Sequence, residues 1–446
     1  MEEIDNCLYQ YYAILSHVWV KNDIDRGEVS FQDFALAKQH KNPNLAKIRE
    51  CCSLAQKRGK RYVWIDTCCI NKESSSELSE AINSMFDWYN FSDECYVYLD
   101  DVLWDTDNVQ CDTAKSRVSF QRSKWFTRGW TLQELLAPND VIFFDKNWLE
   151  IGHAKDLSQE IHQATGIEGK YLDSLEQASI AMKMSWAATR ETTKWEDRAY
   201  SLLGLFDVNM PLLYGEGERK AFLRLQLEII KQSDDESIFA WTSPKKEGIL
   251  RSEDTGGMLA LYPSWFADSK DIFLKASKED ARMPYAMTNK GLQFNIPIRH
   301  GRSYESQVYG ERRSNATVPL NCWRKVRTDV QDRKTCVKAA SERKEGITAQ
   351  GNEIDVKEEN EIREERQIDS ETDDGSEDSG EGTSKARDMV IAIRLKRKGG
   401  IWQRTNCHSP FELRKRLPES FKQGSRTMEH RTAMVYVKQD GFARLA

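Results

Sequence analysis

The N-terminal third of the chain alternates between short apolar runs and helical patterns, and this alternation restricts the fold more than any other feature. Apolar runs that favour strands occur at Tyr11–Val20, Arg61–Asp66, Cys95–Val102 and Asp140–Asp145. Helical patterns lie between them. Strands that alternate with helices pair in parallel, because a right-handed crossover needs the helix. The sequence therefore predicts an open, flavodoxin-like α/β sheet.

The first two helices of this region carry recognisable start and stop signals. Asn44–Gly59 repeats apolar residues at helical spacing and ends at a glycine. Ser74–Phe91 shows the clearest amphipathic pattern. Ser74 and Glu77 fit a capping box, in which each side chain accepts a hydrogen bond from the other residue's backbone N–H. We therefore expect the second helix to begin at Ser74.

Composition and periodicity divide the chain into further parts. Residues 1–156 are assigned to the α/β core, and residues 157–241, which turn helical, to a helical extension of it. Residues 242–324 and 388–446 carry short β-like runs and are predicted to form one β-rich domain. Residues 325–387 between them are highly charged, with too little apolar surface to offset the entropy of ordering. They are predicted to be a disordered acidic insertion.

Finer patterns predict individual elements beyond the α/β core. Helices are expected at 178–192, 195–206 and 218–232, with Gly215 and Gly217 marking a turn between the last two. The β-like segments are 237–242, 256–263, 290–298, 388–397 and 433–446.

Charge and composition exclude several functional classes. The formal net charge is −6, without the basic character of a general nucleic-acid binder. No apolar run reaches the roughly 18 residues of a membrane span, and the acidic N-terminus does not resemble a signal peptide. The 10 cysteines form no C-x-x-C pair, which argues against a zinc ribbon. We therefore expect a cytoplasmic protein with reduced thiols, no metal ion and no nucleic-acid partner.

Polar residues lie at the expected carboxyl ends of the first two strands. Ser16 and His17 are near the end of the first, and Asp66 and Thr67 end the second. Ligands of open α/β sheets bind outside the carboxyl ends of the strands. Ser16, His17 and Asp66 are therefore candidates for substrate binding. The structural alternatives are a buried histidine at His17 and a cap of the following turn at Asp66.

The segment Ser123–Pro138 concentrates aromatic and charged residues at the start of a predicted helix. Its only carboxylate belongs to Glu134, four residues after Trp130. Glu134 is either a catalytic group or a first-turn glutamate that interacts favourably with the helix dipole. In the second interpretation the tryptophans of the segment belong to the core.

Several long sequence blocks resemble the heterokaryon incompatibility (HET) domain of filamentous fungi. They are YAILSHVW, YVWIDTCCINK, CYVYLDDV, SKWFTRGWTLQELLAP and EDRAYSLLGLFDVNMPLLYGEGERKAFLRLQLEII, in the family's order, within Tyr11–Trp241. The resemblance implies a role in self/non-self recognition, in which regulated cell death follows the fusion of unlike hyphae. Unlike many members, this chain shows no G-x-x-x-x-G-K-[ST] loop.

The same blocks resemble TIR domains more remotely, through the α/β order, Asp66 after the second strand and a W-x-x-x-E pattern at Trp130 and Glu134. That resemblance implies that Glu134 cleaves NAD⁺ at the nicotinamide–ribose bond. NAD⁺ would be a substrate, and no cofactor is expected. One carboxylate suffices to stabilise the oxocarbenium-like transition state, because the pyridinium departs neutral without a general acid. Trp130, Trp125 or Trp64 would stack on a ring, and Arg128 would meet a phosphate.

Two hypotheses of different classes follow. In the first, the protein is an NAD⁺ glycohydrolase whose activity kills the cell. In the second, it is a non-enzymatic death-signalling module that acts by self-association or by recruiting an incompatibility partner. The substitution Glu134→Gln separates them, because it abolishes toxicity only in the first.

Three remaining motifs are assigned structural roles. Cys68 and Cys69 lack an evident histidine partner and are expected in the core. Asp197 and Arg198 are expected to form an intramolecular ion pair that anchors the helical part. Tyr214–Gly217 is expected to be a turn and not a phosphate-binding loop, since no lysine–hydroxyl pair follows.

Overall fold

The computed structural model describes most of the first 243 residues and shorter segments of the remainder. The described residues are 12–19, 27–34, 45–104, 113–243, 257–274, 285–289, 291–297, 315–327, 386–398, 401–405, 412–414 and 432–437. The predicted acidic insertion lies outside them, apart from residues 325–327 and 386–387.

A mostly parallel sheet of five strands organises the N-terminal part. Its strands are β1 (Tyr12–His17), β2 (Tyr62–Ile65), β3 (Glu94–Tyr98), β4 (Val141–Phe144) and β5 (Glu150–His153). The order is β2-β1-β3-β4-β5, and β1 to β4 are parallel. The prediction of an α/β fold with a largely parallel sheet is confirmed.

The last strand, β5, is antiparallel to β4 and was not predicted. Only a tight turn joins the two, which is too short for the crossover that a parallel strand needs. The carboxylate of Asp145 holds this turn by accepting hydrogen bonds from the backbone N–H groups of Asn147 (2.8 Å) and Leu149 (2.9 Å).

Helices cover both faces of this sheet. They are α1 (Ala46–Lys57), α2 (Asp66–Cys69), α3 (Ser75–Asn90), α4 (Thr113–Gln121) and α5 (Thr131–Leu136). Residues of β1 alternate between the two faces, as a strand requires. Ile14 joins the larger core, and Leu15 joins a smaller core with Cys51 and Ala55 of α1. Burial on both faces explains why the strand is apolar throughout.

The capping box at the start of α3 is formed in part. Ser74 Oγ accepts a hydrogen bond from the backbone N–H of Glu77, as predicted. The carboxylate of Glu77 accepts its hydrogen bond from the backbone N–H of Asn71 (3.0 Å) and not from that of Ser74. The hydrogen bond accepted by Glu77 therefore holds the loop that leads into α3, and not the cap itself.

Further helices follow the sheet: α6 (Ser158–Thr165), α7 (Lys170–Asp173), α8 (Ile180–Ala187), α9 (Asp197–Tyr200) and α10 (Glu218–Gln232). The helix predicted at 218–232 is confirmed, and the one predicted at 178–192 is shorter.

The single helix predicted at 195–206 is wrong. The chain forms α9, a turn, and a 3₁₀ turn at Gly204–Phe206. Gly204 packs against α3 so closely that an added Cβ would lie 2.0 Å from the Cβ of Phe86. Asp207 then adopts a left-handed backbone conformation with φ of 52°. The close approach and the reversal interrupt the helix.

A second sheet contains the remaining strands: β6 (Ile272–Leu274), β7 (Ala286–Thr288), β8 (Gly291–Pro297), β9 (Asn315–Arg327), β10 (Ala386–Lys398), β11 (Ile401–Thr405), β12 (Glu412–Arg414) and β13 (Thr432–Val437). Its order is β6-β9-β10-β11-β13-β8-β7, and β12 pairs with β10. The segments predicted at 290–298 and 388–397 form β8 and most of β10. The segment predicted at 433–446 coincides with β13 where it is described.

Two apolar segments predicted to be β-like are not strands. Residues 237–242 enter a 3₁₀ turn at Glu236–Phe239, which the carboxylate of Asp235 caps at the backbone N–H of Ser237 (2.7 Å). The described part of 256–263 consists of bends that end in a 3₁₀ turn at Pro263–Phe266. Burial of Trp241, whose indole donates to the carbonyl of Met258 (2.9 Å), explains the apolar composition.

The chain separates into two compact units. The first consists of residues 1–324 and 390–446, and the second of residues 325–389. Only the two ends of the second unit are described.

Among the described helices, none combines the length and the apolar character that crossing a bilayer requires.

Candidate functional site

The candidate site lies at the carboxyl end of β1, where α5 packs against the strand. Ser16 is the penultimate residue of β1 and is fully buried. Glu134 is the fourth residue of α5, and its side chain is only 7% exposed. Every residue of α5 is buried, so Glu134 does not belong to a surface helix. The fold thus joins two residues that are 118 positions apart.

A short chain of hydrogen bonds fixes the Glu134 carboxyl. The indole Nε1 of Trp125 donates to Ser16 Oγ (2.7 Å), and Ser16 Oγ donates to Glu134 Oε2. Because the serine oxygen accepts the indole hydrogen, its own hydrogen is free to point at the carboxyl. Trp125 is fully buried among Phe126 and Phe143, so it belongs to the core.

Tyr89 of α3 completes the surroundings of this carboxyl. Its hydroxyl donates to the carbonyl of Leu15 (3.3 Å) and contacts Glu134. Burial, with Glu134 and Asp66 nearby, raises the pKa of Tyr89 well above its usual value. The tyrosine is therefore a neutral hydrogen-bonding group beside the carboxyl.

Burial also raises the pKa of Glu134 to about 8, and the negative charge of Asp66 acts in the same direction. The hydrogen bond from Ser16, the charge of Arg128 and the contact with Tyr89 oppose this rise. At pH 7 the protonated form of this carboxyl therefore predominates. A buried carboxyl with a strongly raised pKa at a strand end makes Glu134 a candidate functional group.

Two arginines lie near this carboxyl. The half-buried guanidinium of Arg128 makes no hydrogen bond within the described part of the chain, and its charge acts on Glu134. Arg190 was missed by sequence reasoning, because a single arginine after an apolar helix gives no local signal. It donates to the carbonyl of Arg128 (2.9 Å) and to Thr131 Oγ1 (3.0 Å), which anchors the start of α5.

Burial lowers the pKa of Arg190 to about 9, and the charge of Glu134 opposes this. Its Nη2 is buried with no hydrogen-bond partner among the described residues. A positive group with unused donor capacity therefore lies within electrostatic range of the Glu134 carboxyl.

His17 is buried but faces away from the Ser16–Glu134 hydrogen bond. Its Nε2 lies 3.4 Å from Glu28 Oε2, and neither ring nitrogen makes a hydrogen bond with the described residues. Burial alone would raise the pKa of Glu28, but His17 and Lys47 outweigh it and lower that pKa to about 2. The structure thus groups His17 with Glu28 and Lys47.

Asp66 is the first residue of α2 and is half-buried at the same sheet edge. Its carboxylate accepts a hydrogen bond from the indole Nε1 of Trp19 (2.9 Å). Asp66 lies close enough to raise the pKa of Glu134, but no hydrogen bond joins the two.

Trp130 faces the helical part and not the Glu134 carboxyl. Its indole Nε1 donates to Asp197 Oδ2 (3.3 Å), and Tyr214 also donates to Asp197 (3.0 Å). Arg198 pairs with Glu218 at 3.0 Å. The predicted ion pair between Asp197 and Arg198 is therefore wrong: neighbours on a short helix point apart, and each residue finds a partner from another segment.

The other motifs have structural surroundings. The backbone N–H groups of Gly215 and Gly217 both donate to Glu196 Oε1, at 2.9 and 3.0 Å, so a carboxylate of the chain itself occupies this turn. Cys68 is buried beside Cys69, and their hydrogen bond together with burial raises the pKa of Cys68. A thiol held protonated in this way is a poor nucleophile.

The surface depression and the metal-ligating residue types of the described chain lie apart from the Glu134 carboxyl or form no cluster. A surface depression of about 510 Å³ is lined by Asp101, Lys115, Val118, Ser119 and Arg122, none of which contacts Glu134. Within the described ranges, no three His, Cys, Asp or Glu side chains are grouped to hold a metal ion.

Comparison with known proteins gives two matches. The family model described as "Heterokaryon incompatibility protein (HET)" matches residues 12–117. The vegetative incompatibility protein HET-E-1 of Podospora anserina is 43% identical over 256 residues, which cover 57% of this chain and 19% of that protein. The chain thus matches about a fifth of the length of this relative. No solved structure matches.

Proposed function

We propose that this chain, which carries a heterokaryon incompatibility domain, is an effector of vegetative incompatibility that triggers regulated cell death. The support is the family match together with the similarity to a relative named a vegetative incompatibility protein. An unidentified incompatibility partner would trigger it. The free thiols of Cys51, Cys68 and Cys95 support a reducing location, which we take to be the cytoplasm.

We further propose that the α/β core is flavodoxin-like in its topology and TIR-like in its site. The parallel order β2-β1-β3-β4 supports the first part. Asp66 directly after β2, and Trp130 and Glu134 at the helix between β3 and β4, support the second. The antiparallel β5 extends this core at one edge.

The proposed activity is hydrolysis of NAD⁺ to nicotinamide and ADP-ribose. One observation carries it: the buried Glu134 carboxyl, hydrogen-bonded to Ser16 at the carboxyl end of β1. The bond between the ribose carbon and the nicotinamide nitrogen breaks, and its electron pair neutralises the pyridinium. Water adds to the resulting oxocarbenium ion and releases one proton to solvent, so atoms and charge balance.

Glu134 would act as an anion that stabilises the growing positive charge on the ribose. The approach of a cationic substrate favours the ionised form and lowers the carboxyl pKa from its unliganded value. Ser16 would orient the carboxyl, and Arg128 would pair with a phosphate.

A second candidate function is a non-enzymatic module that signals by self-association or by recruiting a partner. It is favoured by the exposed apolar side chains Trp195 (63% exposed) and Leu213 (51%) in the helical part. In this case Glu134 is a buried, hydrogen-bonded carboxyl that stabilises the packing of α5.

Nicotinamide release by concentrated, purified protein tests the enzymatic proposal. We expect release by the wild type and none by Glu134→Gln, which preserves the size of the side chain. Glu160→Gln is the matched control, because Glu160 is another buried helix glutamate, paired with Arg117 away from the sheet edge. If no variant releases nicotinamide even when the protein is clustered, the enzymatic proposal fails and the signalling module remains.

A further inference from the structure

Trp19 forms a compact cluster with Asp66 and Lys72 beside the candidate site. It lies two residues beyond β1, and its side chain is 40% exposed. The indole Nε1 donates to Asp66 Oδ2 (2.9 Å), which ties the end of β1 to the start of α2. The Lys72 ammonium lies 3.5 Å from the centroid of the Trp19 ring. The indole is thus held at its edge and covered by a cation on one face.

This cluster lies at the same edge of the sheet as the hydrogen bond between Ser16 and Glu134, because β1 and β2 are parallel neighbours. Asp66 acts electrostatically on both Glu134 and Lys72, which relates the cluster to the catalytic candidate. Burial lowers the pKa of Lys72, and Asp66 and Glu28 oppose this. A tryptophan face attracts a cation through its quadrupole, and the attraction strengthens where water is partly excluded.

We infer that Trp19 is the stacking residue for the cationic ring of the substrate, and that the Lys72 ammonium covers this ring face when no substrate is bound. The inference rests on the proposed NAD⁺ hydrolysis. The nicotinamide ring of NAD⁺ is planar and positively charged, so it can replace the lysine over the indole. After cleavage the ring is neutral and loses the cation–π attraction, which favours its release.

The other tryptophans near the site are less suited to this role. Trp125 is fully buried in the core, and its indole nitrogen is bound to Ser16. Trp130 is partly buried, and its indole nitrogen is bound to Asp197 in the helical part. Trp64 packs against the rings of Trp88 and Tyr89. We therefore infer Trp19 as the stacking residue in place of Trp130, Trp125 and Trp64.

The test measures equilibrium binding of NAD⁺ and NADH to the full chain carrying Glu134→Gln. The two ligands differ mainly in the charge of the nicotinamide ring, and the background removes both turnover and the Glu134 charge. We expect NAD⁺ to bind about fivefold more tightly than NADH, which corresponds to a cation–π interaction of about 1 kcal/mol. Adding Trp19→Leu should abolish this preference, and Trp19→Phe should retain part of it.

Substitution of Lys72 tests the second half of the inference. Lys72→Met removes the competing ammonium and should enlarge the preference for NAD⁺ over NADH severalfold. Lys72→Arg keeps a cation at this position, so the preference should stay small. An unchanged NAD⁺ to NADH ratio in folded Trp19→Leu would overturn the inference, as would equal binding of the two ligands in the parent. Nicotinamide release is measured separately, in the chain that retains Glu134. If release is absent while the Trp19-dependent preference persists, only the proposed hydrolysis fails.

Discussion

At the scale of single residues, the Ser16 hydroxyl favours the ionised form of Glu134. The hydroxyl accepts from Trp125 and donates to the carboxyl, and it is among the groups that hold down the pKa of Glu134 against burial. If the anion of Glu134 does the chemistry, activity must follow its titration.

We therefore expect nicotinamide release at low substrate concentration to rise with pH and to level off above about pH 8, the pKa of Glu134 in the free protein. Ser16→Ala removes a hydrogen bond to the ionised form, so the pKa rises further and the profile shifts to higher pH. Rate profiles from pH 6 to 10 check this, with Glu160→Gln as the control. A profile that falls with pH over this range would instead identify the protonated carboxyl as the active form.

The same titration predicts how stability depends on pH. The pKa of Glu134 is raised from 4.5 to about 8 by folding, so the folded chain holds a proton that the unfolded chain releases between these values. The stability contributed by the neutral carboxyl is complete below about pH 4.5 and is lost as the pH rises through 8. Glu134→Gln removes this loss. At pH 9 the free energy of unfolding of the variant should therefore be several kcal/mol higher than that of the wild type.

Urea unfolding at pH 5, 7 and 9 measures the difference between the wild type and Glu134→Gln. The advantage of the variant should grow across this series. A variant that becomes relatively less stable as the pH rises would show that the carboxylate is ionised and favourably paired in the folded protein.

At the scale of elements, apolar runs identified β1 to β4 because strands buried on both faces need apolar residues throughout. Strand β5 is missed because Glu150–His153 is polar and short. The segment 237–242 is misread because an apolar run does not distinguish a strand from a buried turn. Site residues at strand ends follow from topology, whereas partners such as Arg190 for α5 depend on contacts distant in sequence.

The contact between Gly204 and α3 gives a prediction at this scale. An added Cβ would overlap the Phe86 side chain, and both lie on packed elements that cannot move apart freely. Gly204→Ala should therefore cost about 1–3 kcal/mol of stability by overpacking. In a Phe86→Gly background the same substitution should cost less, because the overlapping Cβ and the ring are both gone. Equal costs in the two backgrounds, measured by urea unfolding, would mean that the overlap with Phe86 is not the cause.

At the scale of the whole molecule, the fold brings together site residues that do not all lie within the range of the family match. The HET model ends at residue 117, so it includes Ser16 and Asp66 but not Glu134. Parallel pairing of β1, β3 and β4 carries α5 back to the end of β1. The candidate site therefore depends on the order of the whole sheet and not on any single motif.

Self-association is the remaining prediction at this scale. Trp195 and Leu213 lie on adjoining segments that the hydrogen bond between Gly215 N–H and Glu196 holds together, and both are exposed. Exposed large apolar side chains on neighbouring segments favour association, because their burial removes apolar surface from water. The double substitution Trp195→Ser and Leu213→Ser should therefore shift the protein toward monomer in sedimentation velocity experiments. Leu149→Ser, at an exposed leucine of the α/β core, is the matched control and should not.

The two functional hypotheses separate when this double variant is compared with Glu134→Gln in a cell-death assay. If the protein is an enzyme activated by clustering, both variants should lose toxicity, and artificial dimerisation should restore it only to the double variant. If the protein signals by association alone, Glu134→Gln should remain toxic while the double variant is silent. If the double variant is toxic although it stays monomeric, self-association is not required for toxicity under either hypothesis.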